Sequence, residues 1–385
     1  MNIVETDGKY VAKTYARFPL VLTHGNGAYV YDENEKEYID LGAGIAVNTF
    51  GYADSEWADA VSAQLHTLQH TSNLYYTEPC ARLAQMLCER TGMSRVFFGN
   101  SGAEANECAI KAARRYSFLR YGEGHSTIIT LKNSFHGRTV TTLSATGQEH
   151  YHTDFFPFTE GFVYADASKP ETLEKLACEN SCCAVMIETI QGEGGVIPLS
   201  DEFINAVKAV CSKHGLLLIV DEVQTGNGRT GKLYSYMHWD LSPDIVTTAK
   251  GLGNGLPIGA VMFAETTADV LTPGTHGSTF GGNPAVCAGA LNVLGRLDGR
   301  LLSETAEKGE YIKKALSGKK GVVSVSGKGL MLGIEITGSA GEVIAACREK
   351  GVLLLSAKDR LRLLPPLCIT YEQIDTALGV IADCL

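Results

Sequence analysis

Two short segments constrain this chain more than any other. The first is an apolar run ending in acid, Leu216-Leu217-Leu218-Ile219-Val220-Asp221-Glu222-Val223-Gln224, which reads as a buried β-strand that delivers a carboxylate to its carboxyl end. The second, 250 − 221 = 29 residues later, is Thr247-Thr248-Ala249-Lys250-Gly251-Leu252-Gly253, a lysine at a strand-to-loop junction with apolar residues before it and glycines after it. Ligands of α/β proteins gather at the carboxyl ends of the strands, so both residues are candidates for a single site. A lysine partly desolvated in such a setting has a lowered pKa, which suits an amine that must be neutral to attack a carbonyl and must later carry protons.

Around this pair the chain alternates short apolar runs with helical patterns. Strands are expected at Arg95 to Phe98, Thr127 to Leu131, Cys183 to Ile187, Leu216 to Val220, Ile245 to Thr248 and Ile258 to Phe263. Between them lie helical faces such as Ala105, Ala109, Ala112 and Tyr116, or Phe203, Val207 and Val210. This alternation predicts a mainly parallel sheet covered on both sides. The ends have another texture: Tyr29 to Asp32 and Tyr38 to Leu41 read as a small hairpin, and Val322 to Ser326 and Leu361 to Leu364 as strands among helices. The expected division is a large central domain, residues 46–290, with a small α+β domain built from residues 1–45 and 291–385.

Bulk properties exclude several function classes. A net charge of −10 without a long basic run argues against nucleic acid and anionic lipid as partners. No apolar run nears the ~20 residues that span a bilayer, and the first residues lack the basic and apolar regions of an export signal. The eleven cysteines include no C-x-x-C; Cys182-Cys183 lie in an apolar strand, and Cys80 and Cys88 on a helical pattern. They read as reduced core thiols of a cytoplasmic protein, with no metal site expected and small molecules as partners.

A lysine that can hold an aldehyde as a Schiff base, with a carboxylate to keep a pyridine nitrogen protonated, is what pyridoxal phosphate (PLP) requires of a protein. Its phosphate needs an anion cup. Asn100-Ser101-Gly102-Ala103-Glu104-Ala105 follows one strand and opens a helix, so backbone amides and the helix dipole converge there, although an ordinary serine cap has the same sequence. A second candidate cup is Gly277-Ser278-Thr279-Phe280-Gly281-Gly282-Asn283-Pro284. Gly226-Asn227-Gly228-Arg229-Thr230-Gly231-Lys232-Leu233 nearly matches a P-loop, but Leu233 stands where the magnesium-binding hydroxyl belongs, and no strand directly precedes the segment.

Asn100 to Glu107, Ser134-Phe135-His136-Gly137-Arg138-Thr139, Glu188-Thr189-Ile190-Gln191-Gly192-Glu193-Gly194-Gly195, Asp221 to Gly226, Ala249-Lys250-Gly251 and His276 to Pro284 together resemble the class III (ω-amino) aminotransferases of PLP fold type I. Thr14 to Leu20, Gly44 to Asn48 and His70 to Tyr76 add a resemblance to the acetylornithine-acting branch of that class. The resemblance implies a large domain with a mainly parallel seven-stranded sheet, and a homodimer with shared active sites. It implies Lys250 as the covalent anchor of PLP, Asp221 at the pyridine nitrogen, Gln224 near the ring hydroxyl, and Phe135 and Val223 on the two ring faces. For the last two, the sequence is equally compatible with plain core residues. Ser101, Gly102 and Ala103 are implied at the phosphate, with Thr279 reaching it from the second subunit; Glu188 supports the site from behind. Arg138 and Ser278 are implied at the substrate, here acetylornithine; Arg362 takes the α-carboxylate of glutamate or 2-oxoglutarate, and Glu193 covers Arg362 as a gate. Glu193 and Arg362 are also readable as a structural ion pair.

Overall fold

In the computed structural model, which describes residues 2–385, the apolar runs of the middle of the chain become seven strands of one sheet. They are β1 Arg95–Gly99, β2 Thr127–Leu131, β3 Phe162–Ala165, β4 Cys182–Ile187, β5 Leu217–Asp221, β6 Ile245–Thr248 and β7 Gly259–Phe263. Their order across the sheet is β1-β7-β6-β5-β4-β2-β3. Only β7 runs against its neighbours β6 and β1; the other pairings are parallel. Every residue of β4 and β5 is buried, as uninterrupted apolar strands covered on both faces must be.

Helices supply that cover. In Gly102–Tyr121 the side chains of Ala105, Ala109 and Ala112 are wholly buried, and their small size lets the helix lie close on β6 and β7. Asp201–His214 turns Phe203, Val207 and Val210 into the core; Ser200 caps its start, and Gly215, in the left-handed region, ends it.

Beyond one-residue shifts at the ends of β1, β4 and β7, two departures from the sequence expectation have a plain cause. β3 was not foreseen, although Phe162-Val163-Tyr164-Ala165 is an apolar run: it is four residues long, pairs only with β2, and only the six-residue helix Val140–Ala145 and a 3₁₀ turn separate it from β2, so the strand–helix alternation is faint there. β5 starts at Leu217, because the Leu216 N–H bonds back to the Cys211 carbonyl and closes the preceding helix. At its other end the strand extends to Asp221, which sits in register with Thr247.

The hairpin of Tyr29–Asp32 and Glu37–Asp40 forms, with Leu22–Asn26 added on one side and Val352–Leu353 in parallel on the other. Residues from both ends of the chain therefore share a sheet. A second four-stranded sheet contains Val322–Lys328, Met331–Ile336, Arg360–Leu363 and Leu355–Ala357 in that order. Among the described residues no helix is long and apolar enough to cross a membrane. All eleven cysteines are free.

Candidate active site

The parallel strands end along one edge of the central sheet, and a cavity of about 420 Å³ opens there. Five strand ends, all but that of the edge strand β3 among the parallel ones, contribute to it: Ser101 to Ala103 after β1, Phe135 to Arg138 after β2, Glu188 after β4, Asp221, Val223 and Gln224 at β5, and Lys250 after β6. Pairing of Val220 with Ile187 and of Asp221 with Thr247 brings three of these strand ends level.

Asp221 lies 3% exposed on the cavity wall. Its Oδ2 accepts from His136 Nδ1 and Asn106 Nδ2, both at 2.8 Å, and its Oδ1 from the Val223 N–H at 3.0 Å. Asn106 cannot turn over, because its Oδ1 accepts from Thr247 Oγ1 at 2.7 Å while its amide nitrogen also donates to the His136 carbonyl. Facing a carboxylate, His136 carries a proton on Nδ1; its Nε2 is buried without a partner. Burial opposes charge on His136, yet the hydrogen bond and charge of Asp221 outweigh it and raise its pKa. Asp221 keeps acceptor capacity on Oδ1 for a further donor.

Lys250 opens a single 3₁₀ turn, Lys250–Leu252, with φ +44°, in the left-handed region that side chains adopt at a cost of about 1–3 kcal/mol. The turn is tied down by Thr49 Oγ1, which donates to the Gly251 carbonyl at 2.8 Å. Burial lowers the pKa of Lys250 against the pull of Glu193 and Asp221. A neutral amine aimed at a carbonyl is thereby favoured.

Ser101 caps the helix Gly102–Tyr121, its hydroxyl accepting from the Glu104 N–H at 3.2 Å. A Cβ on Gly102 would stand 2.6 Å from Val223 Cγ1, so this helix start approaches β5 only as glycine. Gly137, at φ +141°, likewise lets its loop close to within 2.9 Å of Ala103 Cβ, measured from the position a Cβ would take. The first-turn amides and dipole can hold an anion there. Phe135 and Val223 both line the cavity, and the Phe135 N–H donates to Glu188 Oε2 at 2.9 Å. Burial pushes the Glu188 carboxyl up to about 7.

Arg362, 4% exposed on the strand Arg360–Leu363, is paired with Glu193. Gln224 joins them, donating to Glu193 Oε1 at 3.2 Å and accepting from Arg362 Nη1 at 3.4 Å. Burial opposes ionisation of Glu193, but the charges of Arg362 and Lys250 prevail and lower its pKa. Arg362 Nε is buried and unpartnered, so the guanidinium has capacity for a second carboxylate. Neither Glu193 nor Arg362 lines the cavity itself; Gln224 does. Arg138 lines another part of the cavity, is exposed, and has no acidic partner among the described residues.

The structure does not bring Ser278 and Thr279 to this cavity. The Ser278 hydroxyl is engaged by Asn100 Nδ2 at 3.2 Å and the Gly281 N–H at 2.9 Å, and Thr279 faces solvent. Asn106 and His136 were given no role from sequence, although they hold Asp221. The available signal was Asn106 itself, an asparagine among alanines on a core-facing helix, which must find partners. Far from the site, Glu174, Cys178 and His214 place ligand atoms within 4.8 Å of one another at the surface, where the Lys213 ammonium already pairs with Glu174.

Residues 10–385 match the family model described as aminotransferase class-III, and the chain belongs to that family. It is a PLP-dependent aminotransferase. It is 50% identical to the acetylornithine aminotransferase of Haemophilus ducreyi over 386 residues, covering 100% of this chain and 98% of the relative. Among solved structures it is similar to the N-acetylornithine aminotransferase of Stenotrophomonas maltophilia (TM-score 0.86, 34% identity, 99% of this chain and 98% of the other). It is also similar to the ornithine aminotransferase of Toxoplasma gondii, described with partial occupancy of PLP at the active site (TM-score 0.94, 34% identity, 99% and 93%). The cavity suits that cofactor on its own geometry: an anion cup that admits no Cβ at Gly102, an acceptor at Asp221, and an amine at Lys250.

Proposed function

We propose that this enzyme transfers the ω-amino group of N2-acetyl-L-ornithine to 2-oxoglutarate, giving N-acetyl-L-glutamate 5-semialdehyde and L-glutamate, a step of arginine biosynthesis. The observation that carries this reading is the pair of arginines at the site: Arg138 open to the cavity, and Arg362 covered by Glu193 but with Nε unspent. An ω-amino donor presents one carboxylate, far from its reacting amine, and 2-oxoglutarate presents two. A free arginine and a covered one match that difference. Full-length relatives named acetylornithine aminotransferase, at 41–50% identity, support the choice of donor. The similarity to ornithine aminotransferase structures sustains a second reading, in which the donor is another ω-amine such as ornithine, succinylornithine or 4-aminobutyrate.

PLP, when bound, supplies an aldehyde for exchange with amines and a ring that withdraws electrons from the substrate carbon. Lys250 Nζ would be its covalent anchor, and as a neutral amine would be the base for the proton on the carbon bearing the substrate amine. Asp221, oriented by His136 and Asn106, would keep the ring nitrogen protonated. Ser101, Gly102 and Ala103 would hold the phosphate, Phe135 and Val223 would lie against the ring, and Gln224 would donate to it. Arg138 binds the carboxylate of acetylornithine and the distal carboxylate of 2-oxoglutarate; Glu193 swings away so that Arg362 takes the α-carboxylate.

Thr279 and Ser278 complete the site of a second copy in a homodimer. Their position outside this chain's cavity supports that, as do the neighbouring exposed Leu74, Tyr75 and Tyr76. The large domain, residues 46–290, carries the cofactor, and the small domain, from 1–45 and 291–385, brings Arg362. The free thiols fit the cytoplasm. Purified enzyme assayed with acetylornithine, succinylornithine, ornithine and 4-aminobutyrate against 2-oxoglutarate tests the reading. The highest kcat/KM is expected for acetylornithine; a preference of tenfold or more for another amine sinks it.

A further inference from the structure

Arg138 lies exposed at the cavity without an acidic partner among the described residues, so something other than an ion pair must fix its direction. Its guanidinium carbon lies 4.4 Å from the centroid of the Tyr151 ring and 5.5 Å from that of Phe135, and its Nη2 donates to the Tyr151 hydroxyl at 3.3 Å. Tyr151 is itself fixed. Its ring meets Phe135 edge-on at 5.9 Å and His150 at 3.9 Å, and its N–H bonds to the Gln148 carbonyl at 3.0 Å. Gln148, buried, donates to the Ser134 carbonyl at 3.1 Å, and the Gly147 N–H to Ser134 Oγ at 3.0 Å. The segment bearing Tyr151 is thus stitched to the loop that bears Phe135 and Arg138.

We propose that Tyr151 is a positioning residue for Arg138, and the proposal rests on the reading of Arg138 as a carboxylate binder. A cation over a tyrosine face is attracted by the ring, which holds the flat guanidinium in one plane and leaves its remaining N–H edge for the substrate. The hydroxyl accepts from Nη2, which fixes the rotation of the guanidinium within that plane. An otherwise free arginine side chain is ordered before substrate arrives, and tighter carboxylate binding follows.

The test compares kcat/KM of the holoenzyme for acetylornithine and for N-acetylputrescine, the same amine with hydrogen in place of the carboxylate. In Tyr151→Leu the ratio should fall about five- to tenfold, as expected for loss of both the ring beneath an exposed cation and the hydroxyl that accepts from Nη2. The loss should appear as a raised KM for acetylornithine, with N-acetylputrescine turnover unchanged. Tyr151→Phe, which keeps the ring and is the milder change, should lose about threefold, again only for acetylornithine. In an Arg138→Ala background, Tyr151→Leu should have no further effect on the ratio. An unchanged ratio in both single variants, or equal damage to both amines, overturns the proposal. An enzyme inert toward acetylornithine would instead refute the functional reading, and ornithine against putrescine then supplies the ratio for Tyr151.

Discussion

Removing Arg362 should separate the two half-reactions of the proposed exchange. In the structure Glu193 neutralises this arginine and Gln224 bridges the two, so an amine arriving without a second carboxylate meets no free charge at that end. Under the proposed gate, the α-carboxylate of 2-oxoglutarate would displace Glu193 and pair with a guanidinium that is 4% exposed. Loss of one desolvated, charge-assisted pair costs about 2–4 kcal/mol, or about 30- to 1,000-fold. The lower part of that span applies, because the Glu193 side chain is 27% exposed and both it and the incoming carboxylate can be partly solvated. Arg362→Ala should therefore slow the 2-oxoglutarate half-reaction by about 30- to 100-fold, while that of acetylornithine stays within about threefold. Single-turnover absorbance of the cofactor measures each half separately. Glu193→Gln should act in the opposite sense and tighten 2-oxoglutarate. Equal damage to both halves by Arg362→Ala would refute the gate and leave a structural ion pair.

Three further outcomes are expected. Asp221→Asn should retain the cofactor but lose transamination by orders of magnitude: its Oδ1 can still accept from His136 and Asn106, which leaves an amide and not a carboxylate facing the ring nitrogen; half-reaction rates within a few-fold of wild type would count against that role. Borohydride reduction of the holoenzyme followed by peptide mapping should label Lys250 and no other lysine, and Lys250→Ala should take no label. Glu188 has a folded pKa raised to about 7, so its contribution to stability is complete below its ordinary value of 4.5 and is lost as pH rises through 7. Glu188→Gln, always neutral, should then gain in melting temperature relative to wild type between about pH 5 and pH 8, and a pH-independent difference would contradict the assigned burial effect.

Most of the central sheet was legible in the sequence because its signals are local. An apolar run of four to six residues between glycines and helical patterns identifies a buried strand wherever it lies, and β2 and β6 match their expected limits. The edge strand β3 was missed although its Phe162-Val163-Tyr164-Ala165 is such a run, because the six-residue helix Val140–Ala145 before it is too short to show the strand–helix alternation that marks the other parallel strands. Asp221 and Lys250 stood out for the same local reason: a charged residue directly after an apolar strand marks the carboxyl edge of a sheet.

The partners of those residues were not legible, since they come from far along the chain. Asp221 is held by His136, 85 residues earlier, and Asn106, 115 residues earlier, and Arg362 meets Glu193 across 169 positions. Such contacts depend on strand register, on the close approach that Gly102 and the alanines of its helix permit, and on where the C-terminal sheet docks. By itself, then, the sequence determined the strand and helix pattern and the two residues at the edge of the sheet. Only the tertiary structure decided that Asp221 faces donors on three sides, that Arg362 is covered while Arg138 is open, and that Ser278 and Thr279 lie outside the cavity of their own chain. Local propensity and periodicity reach a few residues along the chain, whereas a polar group taken from water must be satisfied by whatever the packing brings beside it.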